Sequence, residues 1–136
     1  MRITITCAAL LFSYLAMTGC ASVPMEGMEE TLAAKKFNPP AEGKSGLYIY
    51  RNSFFNTFLK RDVWVNGKCI GETAPDVFFY EVVEGDTEHK VSTESEFSPN
   101  DLLIKGKSGM NYFIWQIFKT GVLGDGSKLY LVDEEK

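Results

Sequence analysis

Short segments of β-branched and aromatic residues, separated by Gly, Pro, Asn and Asp, run from residue 46 to residue 136. The strongest turn signal is Asn66-Gly67, which lies between alternating segments at 61–65 and 68–72. An Asn-Gly pair favours a two-residue hairpin turn, because both residues tolerate a positive φ. No long helical pattern follows Phe37. We therefore predict an all-β fold, a small antiparallel β-sandwich of about seven strands.

Alternation of apolar and polar residues gives the positions of the strands. The predicted strands are residues 47–51, 61–65, 68–72, 77–83, 89–95, 101–105, 110–118 and 128–132. The segment 110–118 is apolar at both odd and even positions. We expect it to be a central strand that is covered on both faces. Gly124-Asp125-Gly126 predicts the turn before the last strand.

The N-terminal segment has the pattern of an export signal. Arg2 supplies a positive charge, and residues 3–17 carry no charge. This apolar run is shorter than the roughly 20 residues that a membrane-spanning helix needs. It ends in Met17-Thr18-Gly19-Cys20, which resembles a bacterial lipobox, the signal at which a prolipoprotein is cut and its cysteine acylated. The alternatives are an uncleaved anchor and a plain secretion signal with an incidental cysteine.

This interpretation divides the chain into three parts. Residues 1–19 are the cleaved signal peptide, 20–45 are the lipidated N-terminus and tether, and 46–136 are the sandwich domain. The acyl chains on Cys20 would attach the protein to a membrane. Ala21 follows the cysteine, and by its likeness to enteric sorting signals this favours the outer membrane, facing the periplasm.

The tether contains one possible helix at residues 28–37, with acidic residues early and lysines late, as the helix dipole favours. Pro39-Pro40 should end it. We expect Met28 and Leu32 to lie against the domain. Fully extended, residues 21–45 would reach about 80 Å.

The net charge of the chain limits the kinds of molecule that it can bind. The whole chain has a net charge of −4, and loss of Arg2 with the signal makes the mature chain one unit more negative. An acidic domain argues against nucleic acid and against electrostatic docking on anionic lipid headgroups. The acyl chains would then bind the membrane alone.

The three cysteines are Cys7, Cys20 and Cys69. Cys7 would leave with the signal and Cys20 would carry lipid, so we expect no internal disulfide. Cys69 in a strand is then predicted to be a small buried apolar residue rather than a nucleophile, since His89 is the only histidine.

Few residues suit catalysis or metal binding. One histidine and one remaining cysteine do not make a zinc site. Acidic residues at 84, 86, 88 and 125 lack the EF-hand spacing. His89 and Ser92 are three apart in a predicted strand and so fall on opposite faces. We expect no cofactor and no metal.

Aromatic residues are the best candidates for binding. Tyr112 and Trp115, with Phe54, Phe55 and Phe58, are candidates for an exposed shelf that binds a sugar or a peptide. Such side chains more often belong to the core or cover a sheet edge, and this is the interpretation that we favour for them.

Several stretches in order along residues 34–133 resemble one family. They follow the lipobox at residues 17–20, and they are Ala34-Lys35-Lys36-Phe37, Gly46-Leu47-Tyr48-Ile49-Tyr50-Arg51-Asn52, Val63-Trp64-Val65-Asn66-Gly67-Lys68, Ile70-Gly71-Glu72, Phe78-Phe79-Tyr80 and Ser92-Thr93-Glu94-Ser95. The chain is similar to small bacterial lipoproteins whose body is a domain of unknown function. The central hairpin also resembles PEGA-type repeats, although the segment from Gly85 to His89 is two residues longer than the Gly-x-His turn of that family. The resemblance implies no catalytic residues.

We therefore expect a non-enzymatic envelope lipoprotein. Its domain would either bind another envelope component or have a structural role. The bound component would be a protein, through an exposed strand edge, or a glycan. The alternative is an envelope hydrolase or another carbohydrate-active enzyme. An enzyme should show a cleft with converging titratable groups, whereas a flat aromatic patch favours binding.

Overall fold

A computed structural model describes residues 25–51, 59–94, 100–121 and 124–132. Within these ranges the chain forms one short helix and eight strands. The elements are α1 (Met28–Ala34), β1 (Lys44–Arg51), β2 (Arg61–Val65), β3 (Lys68–Thr73), β4 (Phe78–Glu84), β5 (Glu88–Thr93), β6 (Asn100–Lys105), β7 (Asn111–Gly121) and β8 (Gly124–Val132). The predicted all-β sandwich is confirmed.

Two four-stranded sheets make up the sandwich. Sheet 1 has the order β4-β1-β7-β8, and sheet 2 has the order β3-β2-β5-β6. All neighbouring strands are antiparallel except β1 and β7, which are parallel. This parallel pair places the first and seventh strands side by side at the centre of sheet 1.

The core lies between the sheets. Alternate residues of each strand point to opposite faces, and on the inner faces most of these residues are apolar. Its buried members are Leu47, Ile49, Val63, Val65, Ile70, Val83, Val91, Ile104, Ile114 and Leu129. The apolar area that they remove from water is the main favourable term in folding this domain.

The predicted hairpin joins β2 and β3. Asn66 has φ 51° and Gly67 has φ 80°, so both turn residues are left-handed, as a type I′ turn requires. The register shifts between Val63 and Trp64, opposite Gly71. Gly71 has φ 145°, and a Cβ there would lie 2.6 Å from the Phe79 ring. The bulge therefore depends on glycine.

Three predicted elements differ from the structure. The helix ends at Ala34 rather than at residue 37, because Phe37 takes a left-handed φ of 53°. Gly124 and Gly126 lie in β8 rather than in a turn, since β7 continues to Gly121 and pairs with them. The strand β7 is central, but Trp115 is 37% exposed, so its outer face is open there. The strand buried on both faces is β1.

None of the helices in the described ranges is long and apolar enough to span a bilayer.

Candidate binding surface on sheet 1

Seven aromatic side chains share the outer face of sheet 1. They alternate with core residues such as Leu47, Ile49 and Ile114, which point inward from the same strands. We call this set the aromatic face. Its members are Tyr48 and Tyr50 on β1, Phe78 and Tyr80 on β4, Phe113 and Trp115 on β7, and Tyr130 on β8.

Strand pairing arranges the aromatic face in two rows that cross the sheet. The covered row is Tyr80, Tyr48 and Phe113, and the open row is Phe78, Tyr50, Trp115 and Tyr130. In the covered row the ring centroid of Tyr48 lies 4.5 Å from that of Tyr80 and 5.1 Å from that of Phe113. Such stacking adds stability beyond the area buried.

The segment after α1 covers the first row. We call residues 34–38 the Phe37 strap. The Phe37 ring lies 5.2 Å from the Tyr48 ring and 5.7 Å from the Phe113 ring, centroid to centroid. The left-handed φ of Phe37 is rare for a bulky residue. It turns the chain at the end of the helix so that this ring reaches the sheet.

Polar contacts hold the same strap. The Tyr48 hydroxyl donates to the Ala34 carbonyl at 2.8 Å. The Asn111 amide nitrogen donates to the carbonyls of Phe37 at 3.2 Å and Asn38 at 3.0 Å. The Asn111 side chain lies against Gly46, where a Cβ would lie 2.2 Å from its Oδ1 atom. A glycine at residue 46 therefore leaves room for the amide that binds the strap.

The buried phenols of the covered row keep their protons. Burial, with a smaller contribution from Tyr80, raises the pKa of the Tyr48 phenol above its usual value. Burial also raises the pKa of Tyr80. The neutral hydroxyl is the form that can donate to the Ala34 carbonyl.

The open row has no strap over it among the described residues. Trp115 is 37% exposed, and Tyr50, Phe78 and Tyr130 are half-buried. The Lys128 ammonium lies 4.9 Å from the Tyr130 ring centroid, a cation–π distance. The row therefore offers a broad aromatic surface with one cation at its border.

The structure separates the two aromatic candidates. Trp115 lies in the open row, whereas Tyr112 points to the inner side and packs against the core. The Tyr112 hydroxyl accepts a hydrogen bond from the Lys107 backbone N–H at 2.9 Å. Tyr112 is therefore placed away from the surface on which Trp115 is exposed. The other predicted shelf residues, 54, 55 and 58, and the predicted lipid-attachment residue, Cys20, lie outside the described residues.

His89 has a structural environment. It is 5% exposed, and its Nε2 atom lies 2.7 Å from the Glu84 carbonyl oxygen, to which it donates. Its Nδ1 atom accepts from the Asn66 amide nitrogen at 2.8 Å. The Asn66 Oδ1 atom accepts from the Lys90 N–H at 3.0 Å, which fixes the amide orientation. His89 thus connects the β2–β3 turn to the end of β4.

Cys69 differs from its prediction in two ways. It is half-buried, and its neighbour Ile70 takes the core position, because the bulge shifts the register of β3 against β2. Cys69 is also disulfide-bonded, which corrects the expectation of no internal bridge.

No group of three or more His, Cys, Asp or Glu residues within the described ranges is placed to hold a metal ion. Of the acidic residues considered for calcium, Glu84 pairs with Lys44, and Asp86 accepts from the Ser108 N–H at 3.4 Å. Ser92 points away from His89, since β5 buries His89, Val91 and Thr93 on one face.

A polar chain crosses the interior. Gln116 is fully buried, accepts from the Thr73 hydroxyl at 2.6 Å and donates to the Thr93 hydroxyl at 2.5 Å. Thr93 also lies 3.2 Å from the Ser127 hydroxyl. These bonds satisfy polar groups that would otherwise destabilise the core, and they connect the two sheets.

A buried cation lies near one end of β1. The Arg51 guanidinium is 4.3 Å from the Phe118 ring centroid and donates to the Leu59 carbonyl. Burial, and to a smaller extent Arg61, lower the pKa of Arg51. Its bonds to the protein give it a role in connecting β1 to the segment before β2.

Sequence reasoning missed most of the aromatic face. The signal was present: Tyr48 and Tyr50, Phe78 and Tyr80, and Phe113 and Trp115 each lie two apart in a predicted strand. Residues two apart in a strand lie on the same face of the sheet. Only the pairing of β1 with β4 and β7 shows that the three pairs share one face.

The fold and this surface define a small β-sandwich protein with an aromatic outer face on one sheet. The chain belongs to the family described as "Protein of unknown function (DUF2846)", which matches residues 41–127. It is also 51% identical over 129 residues to an uncharacterized protein of Haemophilus influenzae (strain ATCC 51907 / DSM 11121 / KW20 / Rd), a match that covers 95% of this chain and 76% of that protein. No solved structure matches the chain.

Proposed function

We propose that the protein is a non-enzymatic lipoprotein of the bacterial cell envelope that binds another envelope component through the open row of the aromatic face. The acyl chains on Cys20 attach it to a membrane, the outer membrane with the domain in the periplasm. The resemblance of the sequence to small bacterial lipoproteins, and of its central hairpin to PEGA-type repeats, supports this proposal.

The exposure of the open row is the observation that carries the binding proposal. Tyr and Trp are enriched among residues that dominate binding energy, because each offers a large, rigid surface with one polar end. The open row places Tyr50, Trp115 and Tyr130 side by side on adjacent strands. Since strands support this row, its side chains need little ordering when a partner binds.

The surroundings of the polar groups favour binding over catalysis. Both ring nitrogens of His89 are engaged, by Asn66 and by the Glu84 carbonyl. The buried Gln116 bonds to two threonines. In the described residues these groups serve the fold, and they do not converge on an open cleft as an active site requires.

Site-specific photo-cross-linking in living cells tests the binding surface. Benzoylphenylalanine replaces Trp115 in the full-length chain, and a second strain carries it at Leu103. Leu103 is the matched control, because it is 58% exposed and lies on β6 of sheet 2. We expect a discrete adduct of protein or glycan from residue 115 and none of the same mass from residue 103.

A further substitution tests whether the row acts as one surface. Benzoylphenylalanine at Tyr130 should form the same adduct, and Trp115→Ala in that background should reduce its yield. Equal adducts from residues 115 and 103, or no adduct from any position of the open row, would contradict the proposed binding surface.

A further inference from the structure

Two large apolar side chains of α1 point away from the domain. The helix turns Thr31 and Ala34 toward the domain, where both are half-buried. Met28 is 75% exposed and Leu32 is 53% exposed. Residues four apart lie on one side of a helix, so these two side chains form a stripe. The expectation that they lie against the domain is wrong.

Contacts of the Phe37 strap explain this orientation. The Ala34 carbonyl accepts from the Tyr48 hydroxyl, and the Phe37 ring packs on the covered row. These contacts hold the end of α1 against the outer face of sheet 1. The helix therefore cannot rotate to bury Met28 and Leu32 without losing them.

The stripe lies close in sequence to the acylated residue of the proposed function. Seven residues separate Cys20 from Met28, a span of at most about 28 Å when fully extended. Met25, which is 72% exposed, lies between them. The apolar side chains thus begin within a few residues of the acyl chains.

We propose that Met25, Met28 and Leu32 insert into the interfacial layer of the bilayer to which Cys20 is attached, an inference that rests on the proposed lipidation. Apolar side chains of surface helices reach this layer, and the stems of Lys35 and Lys36 are long enough for their ammonium groups to stay among the headgroups. Glu29 and Glu30 make electrostatic attraction weak, so apolar burial provides the contact.

This contact would give the domain a defined position. The strap removes residues 34–38 from the flexible tether, and α1 would lie on the membrane surface. The domain would then be held near the bilayer, with sheet 1 next to the helix, rather than at the end of a long flexible linker.

Lipid photo-cross-linking tests the inference. Benzoylphenylalanine replaces Met28 or Leu32 in the full-length chain, which is expressed and irradiated in its own membranes. Glu30 is the matched control, since it is exposed on the same helix but lies off the stripe. We expect phospholipid adducts from residues 28 and 32. The adduct yield from residue 30 should be much lower. A Leu32→Glu substitution should likewise reduce the adduct from residue 28.

Membrane flotation of the same samples separates the two proposals. Equal lipid adducts at residues 28, 30 and 32, no lipid adducts, or a protein adduct at the stripe would each overturn the membrane contact while the protein still floats with membranes. A protein that does not float with membranes would instead contradict the lipid anchor of the proposed function. If residues 28 and 32 of that protein also give no lipid adducts, the membrane contact is overturned as well.

Discussion

At the scale of single residues, Tyr48 connects the tether to the domain. Its ring stacks on Tyr80 and Phe113, and its hydroxyl donates to the Ala34 carbonyl. One deleted hydroxyl should therefore affect both stability and its dependence on pH.

Tyr48→Phe should lower the free energy of unfolding by about 1 kcal/mol at neutral pH, the usual value of one hydrogen bond. Burial raises the pKa of the Tyr48 phenol in the folded state. The protonated phenol thus contributes stability that is complete below about pH 10 and is lost as the pH rises through the higher folded value. Urea denaturation from pH 7 to 11 measures this, with Tyr130→Phe as the control. Wild-type and Tyr48→Phe curves that run parallel across the alkaline range would contradict it.

Two glycines with positive φ offer a second residue-level prediction. Gly67 has open space where a Cβ would lie, whereas at Gly71 a Cβ would meet the Phe79 ring. Gly67→Ala should therefore cost only backbone strain, about 1 kcal/mol. Gly71→Ala should cost roughly 2–4 kcal/mol, because strain and overpacking add. Urea midpoints compare the two, and equal losses would mean that the bulge at Gly71 does not require glycine.

At the scale of elements, the Phe37 strap joins α1 to sheet 1. Phe37→Ala should remove two aromatic contacts, each worth about 1 kcal/mol, and release the strap. Because Phe37 is 53% exposed, the sandwich should remain folded. Hydrogen exchange should become faster in residues 28–38 and stay unchanged in β1 and β7. Leu103→Ala is the control on sheet 2, and unchanged exchange in the strap of Phe37→Ala would show that other contacts hold it.

Local patterns predicted most elements but not their partners. The Asn66-Gly67 turn and the strands around it follow from residue alternation and backbone preference, which are local properties. The parallel pairing of β1 with β7 joins residues far apart in sequence, and no local pattern encodes it. The left-handed Phe37 was missed for the same reason, since its contacts with Tyr48 and Phe113 offset the conformational cost.

The candidate site shows the same limit. Trp115 and Tyr112 were named together as candidates for an exposed shelf, although the two are three residues apart in a strand and so face opposite sides. Gln116 sits in an apolar segment, and its burial depends on the hydroxyls of Thr73 and Thr93 from other strands.

At the scale of the whole molecule, three features lie on one side of the domain: α1, the Phe37 strap and the aromatic face. All three are connected to sheet 1, and sheet 2 lies on the other side of the core. Attachment at Cys20 would therefore bring the binding surface and the membrane to the same side. Under the proposed function, the partner would then be a component located near the bilayer.

Lipidation of Cys20 is the claim on which this account depends. A thioether to lipid and a disulfide cannot share one sulfur atom, so the chemical state of Cys20 decides between an acylated chain and one bridged through that residue. Cys20→Ala is the matched variant, and we expect it to leave the membrane fraction.

Intact-mass spectrometry of the protein extracted from membranes, without reducing agent, tests this claim most directly. We predict a chain that begins at Cys20, lacks residues 1–19 and carries the added mass of acyl chains on that residue. A water-soluble product that begins elsewhere, or a Cys20 that is bridged to Cys69 and carries no lipid, would contradict the account.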